Sequence, residues 1–371
     1  MTKRRDIGAW SKDPRDALRA GPDFDLDTMD RGGTPGWEDD KKSAKRFSAQ
    51  RGRLLSELQE RLFAEGRAGG DRALLLIVQG LDTAGKGGVA RHVMSKVDPQ
   101  GVALHSFGPP TEEEQQHHFL WRVRKEQPEP GLIGVFDRSH YEDVLIARVD
   151  ELVPPATWEG RFDEINRFES DLAEADTTVL KFAMMVSHDE QGVRLMKRLD
   201  RPDKHWKYSA NDLPTRRHWD EYQEAYAEVF RRTSTGTAPW YVIPADHKWY
   251  ARLAITEILT QTLIDLDPHW PSVRWDPMVQ RRELARTMST KALADSLVET
   301  DEQVGKAIKD DRKVGKEAAR ASTVGDGSDP VADSEAKARA AEASATAAAA
   351  LADLQRTRQQ KADLLAERDD T

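Results

Sequence analysis

The chain has 371 residues, 38% of them hydrophobic and 33% charged, with a formal net charge of −9. That length leaves room for two or three domains, and the composition is polar without being that of a disordered chain. With no Cys anywhere, a disulfide framework, a zinc–thiolate or iron–sulfur site and a Cys nucleophile are excluded, and the acidic balance argues against sequence-independent nucleic-acid binding over the whole surface.

Aromatic residues occur only between Trp10 and Trp275, so the large core belongs to that stretch. No apolar run approaches the ~18–20 residues that cross a bilayer. The opening Met1-Thr2-Lys3-Arg4-Arg5-Asp6 leads into no apolar segment of a secretory signal. A cytoplasmic protein with no membrane partner is expected.

Residues 1–37, rich in Gly, Pro and Asp with Trp10, Phe24 and Trp37 interspersed, read as an ordered but irregular arm. From Glu38 to Arg67, Phe47, Leu54, Leu55, Leu58 and Leu62 keep a helical period. Ala73–Gln79 is a short continuous apolar run that stops at Gly80, as a buried parallel strand does. Similar runs lie at Gly101–Phe107, Gly131–Phe136, Thr177–Val186 and Pro239–Ile243. Helical stretches intervene near Gly85–Lys96, Glu112–Glu126, Trp158–Ala173, Asp212–Arg232 and His247–Leu266. Strands alternating with helices predict an α/β fold, a parallel sheet covered on both faces. Beyond Trp275, Arg281–Arg320 carries only a thin apolar stripe (Leu293, Leu297, Val304, Ile308), and Ala321–Pro330 reads as a break. The Ala-rich stretch from Val331 to Thr371 reads as a solvated helix, a disordered tail or a helical association arm. The expected organisation is an arm at 1–37, a catalytic domain at 38–280 and an extension at 281–371.

Gly80-Leu-Asp-Thr-Ala-Gly85-Lys86-Gly87-Gly88 lies between a predicted strand and a predicted helix, the context of a phosphate loop. Glycines let backbone N–H groups converge on phosphate oxygens, the helix N-terminus favours anions, and Lys86 adds a mobile charge. The position after the lysine, usually a Ser or Thr that binds Mg²⁺, is Gly87. Asp82, inside the loop, offers a carboxylate oxygen instead, which makes sense if a metal ion lies between it and the phosphates. Ile133–Asp137 is an apolar strand ending in an acid, suited to a second metal-binding carboxylate. Asp82 and Asp137 would share Mg²⁺, a hard cation that favours oxygen ligands.

Between Arg194 and Arg217 stand eight Lys/Arg against three Asp, a local reversal of charge. Arg194, Lys197, Arg198 and Arg201 fall on one helical face, and the run follows a strand of the predicted sheet. A cationic lid over a polyanion, at about 188–219, is the expectation. His117, His118, His188 and His205 read as structural.

The motifs Gly80–Gly88, Phe136-Asp-Arg-Ser-His-Tyr-Glu-Asp143 and Asp200-Arg-Pro-Asp-Lys-His-Trp-Lys-Tyr-Ser209 resemble the phosphate loop, second acidic motif and lid of the polyphosphate kinase 2 family. Residues 239–250 are similar to the stretch after that family's last core strand, and the resemblance spans about residues 20–275. It implies a thymidylate-kinase-like P-loop core that moves phosphoryl groups between inorganic polyphosphate and adenine nucleotides, with guanine nucleotides a further candidate class. Mg²⁺ is the implied cofactor, Mn²⁺ a substitute, and a homodimer or homotetramer the implied assembly. By position, Asp82 and Asp137 are the implied metal acids, and Lys86 and Arg138 act with them on the phosphates. Gly80, Ala84, Gly85, Gly87 and Gly88 form the implied loop cradle, and Arg194, Arg198, Lys204 and Lys207 the implied phosphate clamps. Tyr141 and Glu142 are nucleotide-side candidates, and Tyr141-Glu142-Asp143 is most similar to the branch using AMP as well as ADP, although Asp137 stands where that branch more often has Asn. The rival readings are an ATP-dependent nucleoside monophosphate kinase on the same core and a non-catalytic polyphosphate-binding protein.

Overall fold

A computed structural model describes residues 9–323 and 330–369. The basic start of the chain and most of the break expected at 321–330 lie outside the described residues. Two units emerge, Met1–Pro271 and Ser272–Thr371.

In the first unit, helix α1 (Lys41–Arg67) starts where the Asp40 carboxylate accepts the Ser43 N–H at 2.7 Å, an N-cap. Strand β1 (Ala73–Gln79) follows, then α2 (Lys86–His92), β2 (Val102–Ser106) and β3 (Ile133–Asp137). The other main elements, among several short helical turns, are α3 (Pro155–Glu174), β4 (Thr177–Met185), α4 (His188–Leu199), α5 (Trp219–Thr233), β5 (Trp240–Pro244) and α6 (Lys248–Leu266). All strand pairs are parallel, in the order β2-β3-β1-β4-β5. The five strands and their parallel sheet agree with the sequence reading. Three expected helices are shorter than their patterns: Gly85–Lys96 gives a helix over Lys86–His92 and a 3-10 turn at Met94–Lys96, Glu112–Glu126 divides into Glu112–Gln115 and Trp121–Lys125, and Asp212–Arg232 is interrupted at His218.

Side chains of β1 alternate between two cores. Leu74, Leu76 and Val78 pack with α1, α2 and α6 through Leu55, Leu62, Val89, Ile255 and Leu259. Leu75 and Ile77 pack on the other face with α3 and α5 through Phe162, Phe168, Tyr226 and Phe230. Burial on both faces is why these strands read as unbroken apolar runs. Two buried ion pairs brace the layers. Arg51 donates twice to Glu257, at 2.9 Å each, and Lys181 pairs with Glu169 while donating to Tyr141 Oη at 2.8 Å and Thr233 O at 2.7 Å. Fully paired buried charges of this kind fix an arrangement, because removing either partner leaves the other stranded. The arm covers the free edge of β5: Val242 N–H donates to Leu18 O at 2.8 Å and Ala20 N–H to Trp240 O at 2.9 Å. Neighbouring strands β1 and β3 send the chain to opposite faces of the sheet, β1 into α2 on one and β3 onward to α3 on the other. That opens a crevice at the carboxyl ends of the strands, where ligands of such sheets bind.

The second unit is helical: α7 (Pro277–Thr287), α8 (Thr290–Thr323) and α9 (Pro330–Asp369). Helices α8 and α9 run antiparallel, with Lys361 donating to Ser296 O and Thr300 Oγ1 while Arg358 pairs with Asp301. Ala285, Leu293 and Leu364 form its small core. In the described residues the Ala-rich stretch is helical, a state shared by the solvated-helix and association-arm readings. No helix among the described residues is long and apolar enough to cross a membrane.

Candidate active site

The loop between β1 and α2 turns sharply at two glycines. Gly80 has φ +151°, and a Cβ there would lie 2.7 Å from the Met184 carbonyl oxygen on β4. Gly85 has φ +116° and caps α2, in a backbone region closed to most side chains. Thr83, between them, holds φ +65°, an unusual conformation for a β-branched residue. Lys86 folds back along the loop and donates to the Gly80 and Leu81 carbonyls. Burial lowers its pKa, and the Arg138 guanidinium lowers it further.

Strand β3 delivers Asp137 beside this loop. The next residue, Arg138, has φ +66°, and its Nη2 lies 3.3 Å from Asp82 Oδ1 while Nη1 lies 3.9 Å from Glu142. Burial works against the charge of Arg138, but Glu142 and Asp82 outweigh it and raise the pKa. Burial raises the Glu142 pKa in spite of Arg138 and Lys86.

Two clefts meet here. One, of about 570 Å³, follows the loop and the start of α2; it is lined by eleven Lys/Arg but only two acids, Asp82 and Asp137. It contains Gly85, Lys86, Gly87, Gly88 and Ala84, with Arg198, Lys204 and Lys207 from the lid. The other, of about 940 Å³, is walled by Glu142, Leu145, Ile146, Asp150, Trp206, Asp212, Tyr222 and Tyr226. Gly80 belongs to this second wall, and Asp82, Arg138, Arg198 and Lys207 border both clefts. The site thus pairs a cationic trough with an aromatic and acidic chamber.

Asp82 and Asp137 fit a hard divalent cation. Both line one cleft, and no set of three or more His, Cys, Asp or Glu able to hold a metal occurs among the described residues. A pair of carboxylates suits Mg²⁺, which keeps several waters and takes further oxygens from phosphates; it does not make a zinc cage.

Two expected site residues are used differently. Tyr141 is fully buried; its hydroxyl donates to Glu169 at 2.8 Å and its ring packs edge-on against Trp240. It supports the turn that carries Glu142 and borders neither cleft. Arg194 is 4% exposed, and its guanidinium is occupied by the Thr83, Ala84, Ala245 and Asp246 carbonyls and the Glu190 carboxylate. Helical periodicity places it on the correct face but does not reveal that the loop backbone is its partner. Its neighbour one turn on, Arg198, donates to Lys207 O at 2.8 Å and lies 3.4 Å from Asp212. Lys204 shares Asp203 at 3.1 Å, and Lys207 stands over the exposed Trp206 ring, 4.8 Å from its centroid. His117, His118, His188 and His205 border neither cleft: His118 meets Glu164 at 2.6 Å, His117 stacks on Trp121, His205 meets Leu199 O at 2.8 Å and His188 lies against Trp219.

The sequence reading missed Arg91, Lys248 and Arg252, which extend the cationic trough. The spacing of Lys248 and Arg252, one turn apart at the start of α6, is a signal that could have found them. Burial and neighbouring cations lower the pKa values of Lys207, Lys248, Arg252 and His92. Burial is the larger cause, and the part due to neighbouring cations marks a local excess of positive charge.

The sequence profile of the Polyphosphate kinase 2 (PPK2) family matches residues 38–269. An AMP/ADP-polyphosphate phosphotransferase of Meiothermus ruber is 45% identical over 255 residues, 68% of this chain and 94% of the relative. An ADP-polyphosphate phosphotransferase of Rhodopseudomonas palustris is 43% identical over 229 residues, 58% of this chain and 78% of the relative. The crystal structure of Polyphosphate Kinase 2 from Arthrobacter aurescens superposes with a TM-score of 0.73 at 48% identity, covering 75% of this chain and 98% of that one.

Proposed function

Because the chain belongs to the polyphosphate kinase 2 family, we propose that it transfers a phosphoryl group reversibly between inorganic polyphosphate and nucleotides, converting ADP to ATP and AMP to ADP. The observation that carries this reading is the meeting of two unlike clefts at Asp82 and Arg138. A long polyanion suits the cationic trough. A nucleotide suits the chamber, whose Trp206, Tyr222, Leu145 and Ile146 offer apolar surface to a base. Both substrates then bring phosphates to the shared border.

The acceptor is a phosphate oxygen that is already largely anionic near neutral pH, with a second pKa of ~6, so a general base has little to do. The barrier comes from bringing two polyanions together, and catalysis rests on neutralising charge and aligning the reacting groups. In this reading Lys86 and the loop N–H groups hold the transferred phosphoryl group. Arg138 neutralises charge at the border, and Arg198, Lys204 and Lys207 hold the neighbouring phosphates. Asp82 and Asp137 would hold Mg²⁺, with Mn²⁺ a substitute, and the ion supplies Lewis-acid neutralisation of phosphate oxygens. A cytoplasmic, homo-oligomeric enzyme completes the proposal.

The test is to mix the protein with Mg²⁺, polyphosphate and ADP or AMP and to follow the nucleotides formed, repeating with GDP for base preference. ATP from ADP and polyphosphate supports the reading. Phosphorylation of AMP by ATP with no use of polyphosphate would replace it with a monophosphate kinase, and ligand binding without turnover would replace it with a non-catalytic binding protein.

A further inference from the structure

We propose that Arg194 is a positioning residue: it locks the phosphate loop in its anion-accepting conformation and makes no contact with the polyphosphate chain. The proposal rests on the functional reading above and refines it.

A guanidinium has five N–H donors, and all five of Arg194 are engaged. Nε donates to Glu190 at 2.8 Å, Nη1 to Thr83 O at 3.0 Å and Ala84 O at 3.2 Å, and Nη2 to Ala245 O at 2.7 Å and Asp246 O at 2.8 Å. None is left for a phosphate oxygen, although the residue sits in the most cationic stretch of the chain.

A phosphate loop works by turning its N–H groups inward, which turns its carbonyls outward. Outward carbonyls that are buried need donors, and Arg194 supplies two consecutive ones. One of them belongs to Thr83, whose φ of +65° persists only if its surroundings hold it. Without the guanidinium, rotation of the peptide planes at residues 83–84 would swing carbonyl oxygens toward the bound anion.

The other half of the same guanidinium grips the exit of β5. There the Asp246 carboxylate also accepts the Ser187 N–H at 2.7 Å, at the start of α4. The first two turns of α4 are thereby tied to the loop on one side and to β5 on the other. Arg198, one turn farther on, borders both clefts. One helical face therefore divides its work, Arg194 holding the loop and Arg198 facing the substrates.

The experiment compares Arg194→Gln, Arg194→Lys and Arg198→Gln with the wild type in the full chain. Amide hydrogen exchange of residues 80–88 is measured without substrate, so this arm does not depend on which donor the enzyme uses. We expect exchange in that segment to rise at least ~10-fold in Arg194→Gln over its rise in the five strands, less in Arg194→Lys, and not in Arg198→Gln. In turnover assays kcat should fall at least ~30-fold in Arg194→Gln, while the dependence of polyphosphate KM on salt keeps its wild-type slope. Arg198→Gln should flatten that slope, as loss of a phosphate contact does. Unchanged loop exchange, a rise spread evenly over the sheet, or a flattened slope in Arg194→Gln overturns the proposal. If Arg194→Gln does not fold, the same outcomes are read from Arg194→Lys, which keeps a charge but loses the fork. A wild type that ignores polyphosphate would refute the functional reading and leave the exchange result to decide the role of Arg194.

Discussion

Lys197 and Lys204 line the cationic trough but not the aromatic chamber, so neutralising both separates the two substrates. An exposed charge contact is worth ~0.2–1 kcal/mol, and Lys204 is already shared with Asp203. The pair together should contribute ~1–1.5 kcal/mol, which at ~1.4 kcal/mol per decade raises the polyphosphate KM about 5- to 12-fold at low salt. Each phosphate contact adds ~0.7 to the slope of log affinity against log salt for a flexible single-stranded polyanion. Two lost contacts remove ~1.4, so on going from about 0.1 M to about 0.3 M salt the wild type should lose about fivefold more affinity than Lys197→Gln/Lys204→Gln. The assay is the initial rate of ATP formation, varying polyphosphate at saturating ADP and then the reverse, at three salt concentrations and constant Mg²⁺. The KM for ADP should move less than ~2-fold, since neither side chain borders its chamber. Equal weakening of both substrates, or an unchanged salt slope, would refute the assignment of the trough to polyphosphate.

Asp82→Asn keeps the size of the loop acid and weakens it as a metal ligand; a loss of ~2.7 kcal/mol in the transition state gives at least ~100-fold lower kcat/KM, with Glu60→Gln, exposed on α1 and bordering neither cleft, as a control that should leave kcat near wild type. Burial lifts the Glu142 pKa above its unfolded value, so the stability linked to its proton is present below the unfolded pKa of ~4.3 and is lost as pH rises through the native pKa. At neutral pH the wild type has lost that contribution and Glu142→Gln has no such charge to bury. The variant should therefore melt higher at pH 7, with the gap closing toward pH 4, and turn over more slowly as Arg138 loses a partner; a gap independent of pH would count against this. A chain ending at Pro271 keeps the whole first unit and should retain its turnover per site, measured beside its oligomeric state; a large fall in kcat with the assembly intact would assign the helical extension a part in the chemistry.

Features set by one residue's own chemistry could be read from the sequence; those set by a partner's direction could not. The strands were legible because burial on both faces removes polar residues from Leu74 to Val78 and from Phe182 to Met185. The loop was legible because its glycines are demanded by backbone conformations such as that of Gly80. Tyr141 and Glu142 adjoin in sequence, yet the turn at 140–143 sends one into the Lys181–Glu169 pair and the other to the cleft. Sequence spacing does not encode that divergence. The break of the helical pattern after Gln115 also has a tertiary cause, since Leu120 is drawn into the core while His118 meets Glu164.

Charge at the site is best understood from the imbalance between the two clefts. A nucleoside triphosphate carries about four negative charges, which a loop, one lysine and Mg²⁺ can largely match. The trough keeps ten Lys/Arg besides Arg194 and only two acids, and burial, with neighbouring cations adding to it, lowers the pKa values of Lys207, Lys248 and Arg252. Holding so many like charges together works against the folded state, and a protein keeps such an arrangement where function requires it. The chamber is different, its wall carrying four acids, Asp82, Glu142, Asp150 and Asp212, and three cations, Arg138, Arg198 and Lys207, a near balance that suits a ligand with a short phosphate tail and an apolar base. Under the proposed function the asymmetry favours the trough for a chain whose charge grows with its length, and the chamber for the nucleotide.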